Sequence, residues 1–338
     1  MDVRHSPPPT DFALALFKAV CRAAGSRTLI DDLRRGLSRA GLVAAVRDHD
    51  NDRLFDWLVE AISYQGVSDA VAGAYMNAHG RVAAFDVATG LAAGPSCPKL
   101  TSYWQFESCG YHKGSGTCSE PDHARCCPVP SHDLRNGRLN QSAYATYLFF
   151  RDVTSHDLVG WIDRQLESAS AAGGAGGGRR AALRQSLLGP MGQIYGVSNK
   201  VLSMALASLL LGADPGRPLW VETGASMIAI DTLVHNWLHR TGILAGLGCE
   251  HPYGPRCYGP NGCAGIIEAM SVRIDARQFN PDYPADFPRF VQKAIWWFCA
   301  QAGLNECNGN RVDDRAACGR DDCPIGALCA RQPLRRAD

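Results

Sequence analysis

Four cysteines near the C-terminus constrain this chain more than any other feature. Cys307, Cys318, Cys323 and Cys329 lie in one short loop rich in Gly and Asp. Four thiolates in such a loop can surround a single zinc ion or an iron–sulfur cluster. The paired C-x2-C spacing typical of zinc sites does not occur in this loop, so the spacing favours an iron–sulfur cluster. A pair of disulfides, or four thiols without a shared role, are the alternatives.

The first residues of the chain favour metal binding over disulfides. The segment MDVRHSPPPTDF has neither an apolar core nor a cleavage site, so it does not match a secretory signal. Clustered cysteines in a reducing cytosol are more often ligands than disulfides. We therefore expect a cytoplasmic protein with a C-terminal metal centre.

Length and charge restrict the class of protein. The chain has 338 residues, enough for two domains, and a net charge of +1. Nucleic-acid binding would therefore depend on local basic patches and not on global charge. The longest apolar run, from Val201 to Leu211, is too short to cross a bilayer and predicts a buried helix. Lysine is scarce and occurs only as Lys18, Lys99, Lys113, Lys200 and Lys293.

The hydrophobic periodicity predicts a mostly α fold. Apolar residues recur at three- and four-residue spacing from Asp11 onward, whereas the Pro-rich residues 1–10 are expected to form a disordered tail. No convincing run of alternating strand residues occurs. The predicted helical stretches after residue 50 are Leu54–Ala61, Ala143–Phe150, Leu158–Leu166, Ala181–Leu211, Ile228–His239 and Phe287–Ala300. Residues 168–178 are predicted to form a flexible connector, and residues 212–224 a loop.

One predicted helical hairpin has the features of an anion site. Its turn contains Gly196, since glycine permits a positive φ, and the next helix is expected to begin near Ser198. The free N–H groups at that helix start suit a DNA phosphate, and Lys200 lies in the first turn. Downstream, Asp231 is placed to cap the next helix. A surface amine at Lys200 and a simple N-cap at Asp231 are the alternatives.

Three sequence blocks in order resemble the helix–hairpin–helix DNA glycosylases, most closely the endonuclease III branch. AISYQGVSDAV resembles the segment with that family's DNA-inserting glutamine, which would be Gln65. IYGVSNKVLSMAL resembles the hairpin with the nucleophilic lysine and places it at Lys200. IAIDTLVHNWLHRTG resembles the segment with the catalytic aspartate and places it at Asp231. The cysteine loop follows in the family's order.

The resemblance implies a two-lobed helix–hairpin–helix fold with DNA bound across the cleft. Residues 51–219 would form a helical domain that contains the hairpin, at about 183–211, and a Cys-rich insert at 94–137. Residues 11–50 and 220–338 would form a discontinuous domain, in which the four terminal cysteines hold a [4Fe-4S] cluster. The implied DNA contacts are Gln65, Gly196, Val197 and Ser198. The expected partner is double-stranded DNA with a damaged or modified base, bound by a nucleoid-associated monomer.

The resemblance also implies a mechanism. The base would flip out of the duplex, Gln65 would fill the gap, and the neutral amine of Lys200 would attack C1′ of the deoxyribose. The resulting Schiff base would lead to β-elimination, the activity of a DNA glycosylase and AP lyase in base-excision repair. Asp231 would stabilise positive charge at C1′. The cluster is expected to hold nearby arginines toward the DNA backbone, among them Arg311, Arg315 and Arg320.

Two alternatives to this activity remain at the level of the sequence. The hairpin has Tyr195 where the family usually has Pro, and Ser198 where the family has a second Gly. A shifted Lys200 would give a glycosylase that removes bases without lyase activity. If the base pocket cannot support catalysis, the protein would be a non-catalytic iron–sulfur protein that binds DNA.

Two further Cys-rich loops have no counterpart in that family. Residues 94–137 contain Cys97 and several histidines beside their other cysteines, and the stretch from 246 to 263 contains His251. One interpretation is a second metal site shared between the loops, and structural thiols are the other. The candidate ligands are Cys109, Cys118, Cys126, Cys127, Cys249, Cys257 and Cys263.

Other polar and aromatic residues on apolar helix faces are interpreted as core. Cys21 and Cys299 have apolar neighbours at helical spacing, which favours packing over chemistry. His235 and His239 are interpreted as buried histidines without a catalytic role.

Overall fold

The computed structural model describes residues 9–64, 69–79, 81–106, 109–110, 118–129, 138–173 and 176–334. These residues form helices and turns and contain no β-strand, which confirms the predicted mostly α fold. In chain order the helices are α1 (Pro9–Ala24), α2 (Leu29–Arg39), α3 (Leu42–Arg47), α4 (Asn51–Ser63), α5 (Asp69–His79), α6 (Ala84–Ala92), α7 (Tyr103–Phe106), α8 (Arg138–Asp152), α9 (Leu158–Ala172), α10 (Gly176–Met191), α11 (Asn199–Gly212), α12 (Pro218–Ser226), α13 (Thr232–Arg240), α14 (Ile243–Gly246), α15 (Cys263–Ser271) and α16 (Pro288–Cys299). No helix in these ranges is both long and apolar enough to cross a membrane.

The chain divides into two compact units. The terminal unit contains the residues up to Asp32 and those from Gly224 onward, and the central unit contains Leu33–Thr223. The structure thus places the first boundary earlier than the sequence prediction at 50/51. One reason is that the Arg53 side chain on α4 donates to the carbonyl of Ala40 at 2.6 Å, which ties the turn before α3 to the central unit.

Helices from both ends of the chain form the core of the terminal unit. Phe17 of α1 packs edge-on against Trp237 of α13, with ring centroids 5.4 Å apart. Phe290 of α16 is buried in the same unit. Tyr283 joins distant stretches because its hydroxyl accepts the N–H of Leu29 at 2.7 Å. The terminal unit is therefore built from residues that are far apart in sequence.

The central unit is built from longer helices and aromatic pairs. Phe55 of α4 packs edge-on against Phe150 of α8, with ring centroids 5.9 Å apart. Phe149 packs in the same way against Trp161 of α9 at 5.5 Å. Such edge-to-face pairs add about 0.5–1.5 kcal/mol beyond the apolar area that they bury. The apolar run of α11 is buried, as its sequence predicts.

Two stretches that were predicted as connectors are helical. α9 and α10 extend into residues 168–178, which were expected to be flexible. Arg179 holds these helix ends because it donates to Ser170 Oγ at 2.8 Å and to Glu222 at 2.9 Å. Glu222 lies on α12, a helix that occupies part of the predicted loop 212–224. These polar contacts between distant residues stabilise helices where the Gly-rich sequence predicted a flexible connector.

Candidate metal centre

Two histidines and two cysteines meet in the interior of the terminal unit. His235 lies on α13, His251 and Cys257 lie in the loop after α14, and Cys263 begins α15. Their ligand atoms all lie within 4.8 Å of one another. These four side chains, called the metal centre below, could bind a metal ion.

The distances within the metal centre match a tetrahedral site. Nδ1 of His235 lies 3.3 Å from Sγ of Cys263 and 3.6 Å from Sγ of Cys257. Nε2 of His251 lies 3.4 Å from Sγ of Cys263. Metal bonds of about 2.3 Å to sulfur and about 2.0 Å to nitrogen, at tetrahedral angles, separate nitrogen and sulfur by about 3.5 Å. Two imidazoles and two thiolates are a donor set that zinc favours.

The backbone orients the His251 ring toward the centre. Its Nδ1 bonds to the carbonyl of Cys249 at 2.7 Å, which directs Nε2 at Cys263. A hydrogen bond from the second ring nitrogen is typical of metal-binding histidines, because it fixes the tautomer and the ring orientation. Cys249 itself does not join the centre, since its Sγ donates to the carbonyl of Leu247 at 3.3 Å.

Burial shifts the pKa values of the two kinds of ligand in opposite directions. It lowers the pKa of His235 to about 4, and the nearby His251 and His239 add to the shift. Burial also raises the pKa of the Cys263 thiol, and the neighbouring Cys257 adds to the rise. A neutral imidazole is the form that binds a metal, and a bound cation would offset the cost of burying two thiolates.

Gly262 allows the two cysteines to approach each other. A Cβ atom at this position would lie 2.2 Å from the carbonyl oxygen of Arg256 and 2.7 Å from the carbonyl carbon of Cys257. Any side chain here would therefore push the loop that carries Cys257 away from the start of α15. Cys263 is the first residue of α15, where the positive end of the helix favours a thiolate.

An open cavity of about 690 Å³ adjoins the metal centre. His235 and His251 form part of its wall, together with Asn236, His239 and Glu250. Four protein ligands already complete a tetrahedron, so a bound ion would keep no open position toward this cavity. The arrangement is therefore that of a structural site.

The metal centre lies one helical turn from Asp231. The Oδ1 atom of Asp231 accepts the N–H of Val234 at 2.9 Å and caps α13, and His235 follows on the same helix. Tyr258, in the loop between the two cysteines, accepts the N–H of Ile230 at 2.8 Å. The loop that carries the metal ligands therefore also fixes the backbone beside Asp231.

A largely buried amine shares the surroundings of Asp231. The pKa of Lys293 is lowered to about 8, first by burial and then by the positive charge of Arg289, while the negative charge of Asp231 opposes the shift. The Nζ atom of Lys293 lies 3.8 Å from the ring centroid of Trp296. A sizeable fraction of this amine is therefore neutral at mildly basic pH.

The predicted hairpin around Lys200 consists of α10, a turn and α11. Gly196 has a φ of +78°, as expected for the turn. Ser198 Oγ accepts the N–H of Val201 at 3.4 Å and caps α11. Lys200 lies half-buried in the first turn of that helix.

The residues that the resemblance assigns to DNA chemistry fall into different parts of the chain. Lys200 and Val197 belong to the central unit, and Asp231 belongs to the terminal unit. Val197 donates its N–H to the carbonyl of Ile194 at 3.2 Å within the turn. Gln65, the predicted DNA-inserting residue, lies outside the described residues.

The terminal quartet (Cys307, Cys318, Cys323 and Cys329) is gathered in one loop of the terminal unit. The pKa of Cys329 is raised to about 11, first by burial and then by the charges of the other three cysteines, so all four lie within electrostatic reach. The N–H of Arg331 donates to Sγ of Cys329 at 3.3 Å. The four sulfurs do not form a group within 4.8 Å of one another, unlike the metal centre.

Two arginines beside the terminal quartet are engaged within the protein. Arg320 pairs with Glu306 at 2.9 Å and with Asp322 at 2.8 Å. Arg311 approaches Glu306 at 3.6 Å. Their predicted contact with a DNA backbone stays a prediction, and it would compete with these ion pairs.

The candidate ligands in the Cys-rich inserts divide between the two units. Cys257 and Cys263 join the metal centre in the terminal unit. Cys109, Cys118 and Cys127 line a small cavity in the central unit, together with Cys97. The exposed Cys126 does not line that cavity. Of the seven candidates, the structure thus brings two into the metal centre and three to one cavity of the central unit.

The sequence interpretation missed His235 as a ligand. A histidine on the apolar face of a helix is more often core, and His235 is indeed buried. The regular pattern His235-x15-His251-x5-Cys257-x5-Cys263 is the signal that could have identified it.

Comparisons with known proteins found no match. No family model matches the chain, no curated protein matches it, and no solved structure matches it.

Proposed function

We propose that this chain is a DNA base-excision glycosylase with β-elimination AP lyase activity, in which a zinc ion at the metal centre braces Asp231. The observation that carries the proposal is the placement of the two residues that the sequence resemblance names. Lys200 lies in the first turn of α11, and Asp231 caps α13. Each therefore stands at the positive end of a helix, where a DNA backbone and a reacting sugar can be held.

The turn before α11 suits a DNA phosphate. Gly196 bends the backbone with its positive φ, and Ser198 begins the helix with its backbone extended. The first N–H groups of α11 favour an anion at this point. A phosphate contact of this kind positions the duplex without reading its sequence.

The proposed chemistry needs a neutral amine and an anion near the sugar. The amine of Lys200 attacks C1′, the bond from C1′ to the base breaks, and the base leaves with the bonding electrons and takes up a proton. Opening of the sugar ring gives the Schiff base. Loss of a C2′ proton then expels the 3′ phosphate and nicks the strand. Asp231 stabilises positive charge at C1′ and accepts protons during these steps.

The terminal quartet fits a [4Fe-4S] cluster. The four sulfurs are close enough for their charges to interact, but they lie further apart than the ligand atoms of the metal centre. Such spacing suits a cluster in which each thiolate binds a different iron. When bound, the cluster supplies a rigid, fully ligated anchor for its loop. The chain beyond the quartet returns to α13, since Gln332 donates its N–H to the carbonyl of Arg240 at 2.9 Å.

Lys293 is a second candidate for the amine. Its lowered pKa of about 8 and the charge of Asp231 beside it meet the requirements for a Schiff-base lysine. This residue lies on α16, in the same unit as Asp231. The function is the same in either case, but the nucleophile differs.

Borohydride trapping on duplex DNA with an abasic site tests this proposal. Wild type is compared with Lys200→Ala, Lys293→Ala and, as a control, Lys18→Ala, which alters an exposed lysine on α1. We expect a covalent protein–DNA adduct in wild type and Lys18→Ala and none in Lys200→Ala. Loss of the adduct in Lys293→Ala alone would move the nucleophile to Lys293.

Excision assays separate the remaining outcomes. Duplexes with oxidised pyrimidines, oxidised purines or alkylated bases are incubated with the metal-loaded chain, with and without later alkali. Base removal that needs alkali for strand cleavage, without an adduct, would mean a glycosylase that lacks lyase activity. Duplex binding without excision or an adduct would mean a non-catalytic DNA-binding protein and would overturn the proposal.

A further inference from the structure

The Cys-rich insert of the central unit gathers four cysteines that the proposed function does not use. They line one cavity and are called the insert quartet: Cys97, Cys109, Cys118 and Cys127. Leu100 and Val129 are buried at the same cavity. The cysteines come from four different points of an irregular segment, so their convergence is not a result of helical spacing.

Backbone N–H groups point at the sulfurs of the insert quartet. The N–H of Glu120 donates to Sγ of Cys118 at 3.4 Å. The N–H groups of Lys99 and Val129 bond in the same way to Cys97 and Cys127, again two residues further along the chain. Such bonds stabilise a thiolate, and they are typical of thiolates that bind a metal.

The terminal quartet shows the same local arrangement. The N–H of Arg331 donates to Cys329, and the N–H of Ile325 bonds to Cys323, each two residues after the cysteine. Two loops in different units therefore present their sulfurs by the same turn geometry.

The Lys99 side chain lines the same cavity as the insert quartet. Lys99 is paired with Glu120 at 3.7 Å, so its charge is partly compensated. Several thiolates cannot share this cavity unless a metal offsets their repulsion.

The spacing of the sulfurs separates a cluster from a single zinc ion. Zinc with bonds of about 2.3 Å to four thiolates brings the sulfurs to about 3.8 Å from one another. The metal centre shows such compact spacing, whereas the insert quartet is not among the groups within 4.8 Å in the described residues. Thiolates that bind different irons of one cluster stay further apart.

We propose that Cys97, Cys109, Cys118 and Cys127 bind a second iron–sulfur cluster, in the unit that carries Lys200. Binding a preformed [4Fe-4S] cluster forms four Fe–S bonds and releases four thiol protons, and a cluster donor supplies the iron and sulfide. This inference does not depend on base excision. It gives the central unit a metal anchor of its own.

Metal and sulfide analysis of the anaerobically purified full chain tests this inference. Wild type is expected to contain about eight iron atoms and eight sulfides, two [4Fe-4S] clusters' worth. Cys118→Ser/Cys127→Ser should lose about half of both, and Cys318→Ser/Cys323→Ser the other half. Cys126→Ser, which changes the exposed neighbour of Cys127, should keep all of them.

Contrary outcomes are distinct. Wild-type protein with about four irons, all lost in Cys318→Ser/Cys323→Ser, would overturn the second cluster even if the insert variant fails to fold. Loss of zinc and not iron from Cys118→Ser/Cys127→Ser would overturn it as well. Spin quantification of the dithionite-reduced wild type gives an independent count of clusters per chain.

Discussion

Lys200 and Asp231 both stand at the start of a helix, but the structure holds them by different means. Ser198 caps α11 two residues before Lys200, and Gly196 forms the turn just before it. Asp231 caps α13 itself, and Tyr258 from the metal-binding loop fixes the backbone of the preceding residue. The first position depends on adjacent residues, whereas the second depends on a loop that the proposed zinc ion would organise. Changes at the metal centre should therefore affect Asp231 and spare Lys200.

Removal of the metal ligands should have the largest effect, and it should separate the helix of Asp231 most clearly from that of Lys200. Cys257→Ser/Cys263→Ser should lose the zinc and lower the free energy of unfolding of the terminal unit by more than about 4 kcal/mol. Hydrogen exchange should accelerate at α13 and stay slow at α11. Cys249→Ser changes a nearby cysteine outside the centre and should leave both helices protected. Equal loss of protection at α11 and α13 would contradict the comparison.

A pH series on Lys293→Met should show the next largest effect. Burial and Arg289 hold the pKa of Lys293 at about 8 in the folded chain, below its ordinary 10.5. Folding is therefore penalised below pH 8, and the penalty disappears as the pH rises to 10.5. Lys293→Met should raise the free energy of unfolding at pH 7 by up to about 3 kcal/mol.

The gain from Lys293→Met should vanish above pH 10.5, where the wild-type lysine is neutral in both states. Denaturant titrations at pH 7, 9 and 11 measure this change. The exposed Lys18→Met serves as the control and should stay within about 0.5 kcal/mol of wild type at each pH. A Lys293→Met variant that is less stable than wild type at pH 7 would contradict the burial of its charge near Asp231.

Two glycines at the metal centre form a matched pair with opposite expected effects. Gly262→Ala forces a Cβ against the carbonyl of Arg256 and should cost about 1–3 kcal/mol and weaken zinc binding. Gly265→Ala, three positions further along the chain and within α15, meets open space and should stabilise the helix by up to about 1 kcal/mol. Zinc competition with a chelator and thermal melting measure both. If Gly262→Ala changed neither the stability nor the zinc affinity, the loop would not approach α15 closely.

The smallest effect is expected at the cap beside Lys200. Ser198→Ala removes the acceptor for the N–H of Val201 and should cost about 1 kcal/mol. Ser198→Asp keeps an acceptor and should be near wild type. Ser208→Ala, on the same helix, removes only a bond to the carbonyl of Met204 and should change stability by a few tenths of a kcal/mol. Zinc content should not change in any of them, since the cap acts locally.

The same contrast explains what the sequence could predict. The start of α11 followed from contiguous residues, namely Gly196, Ser198 and the apolar run after them. The metal centre did not, because its ligands come from two helices and an irregular loop without periodicity. His235 looked like a core residue because a buried ligand and a buried packing residue occupy the same kind of helix face.

Local sequence patterns likewise could not predict which cysteines of the two Cys-rich loops lie together. The sequence offered seven candidate ligands in two loops, and no local pattern indicates which of them meet. Cys257 and Cys263 meet two histidines, one of which, His235, lies on a helix outside the loop. The helical structure around Arg179 could not be predicted for the same reason, since its ion-pair partner Glu222 lies far along the chain.

X-ray absorption at the zinc edge is the decisive measurement for the metal centre, because it reports the ligands of zinc alone even if the chain also binds the proposed iron–sulfur clusters. We expect one zinc per chain with two sulfurs at about 2.3 Å and two imidazole nitrogens at about 2.0 Å. The spectrum should be unchanged in Cys249→Ser. A zinc with four sulfur ligands, or a fully folded terminal unit without zinc, would show that His235 and His251 are not metal ligands and that Asp231 is held in some other way.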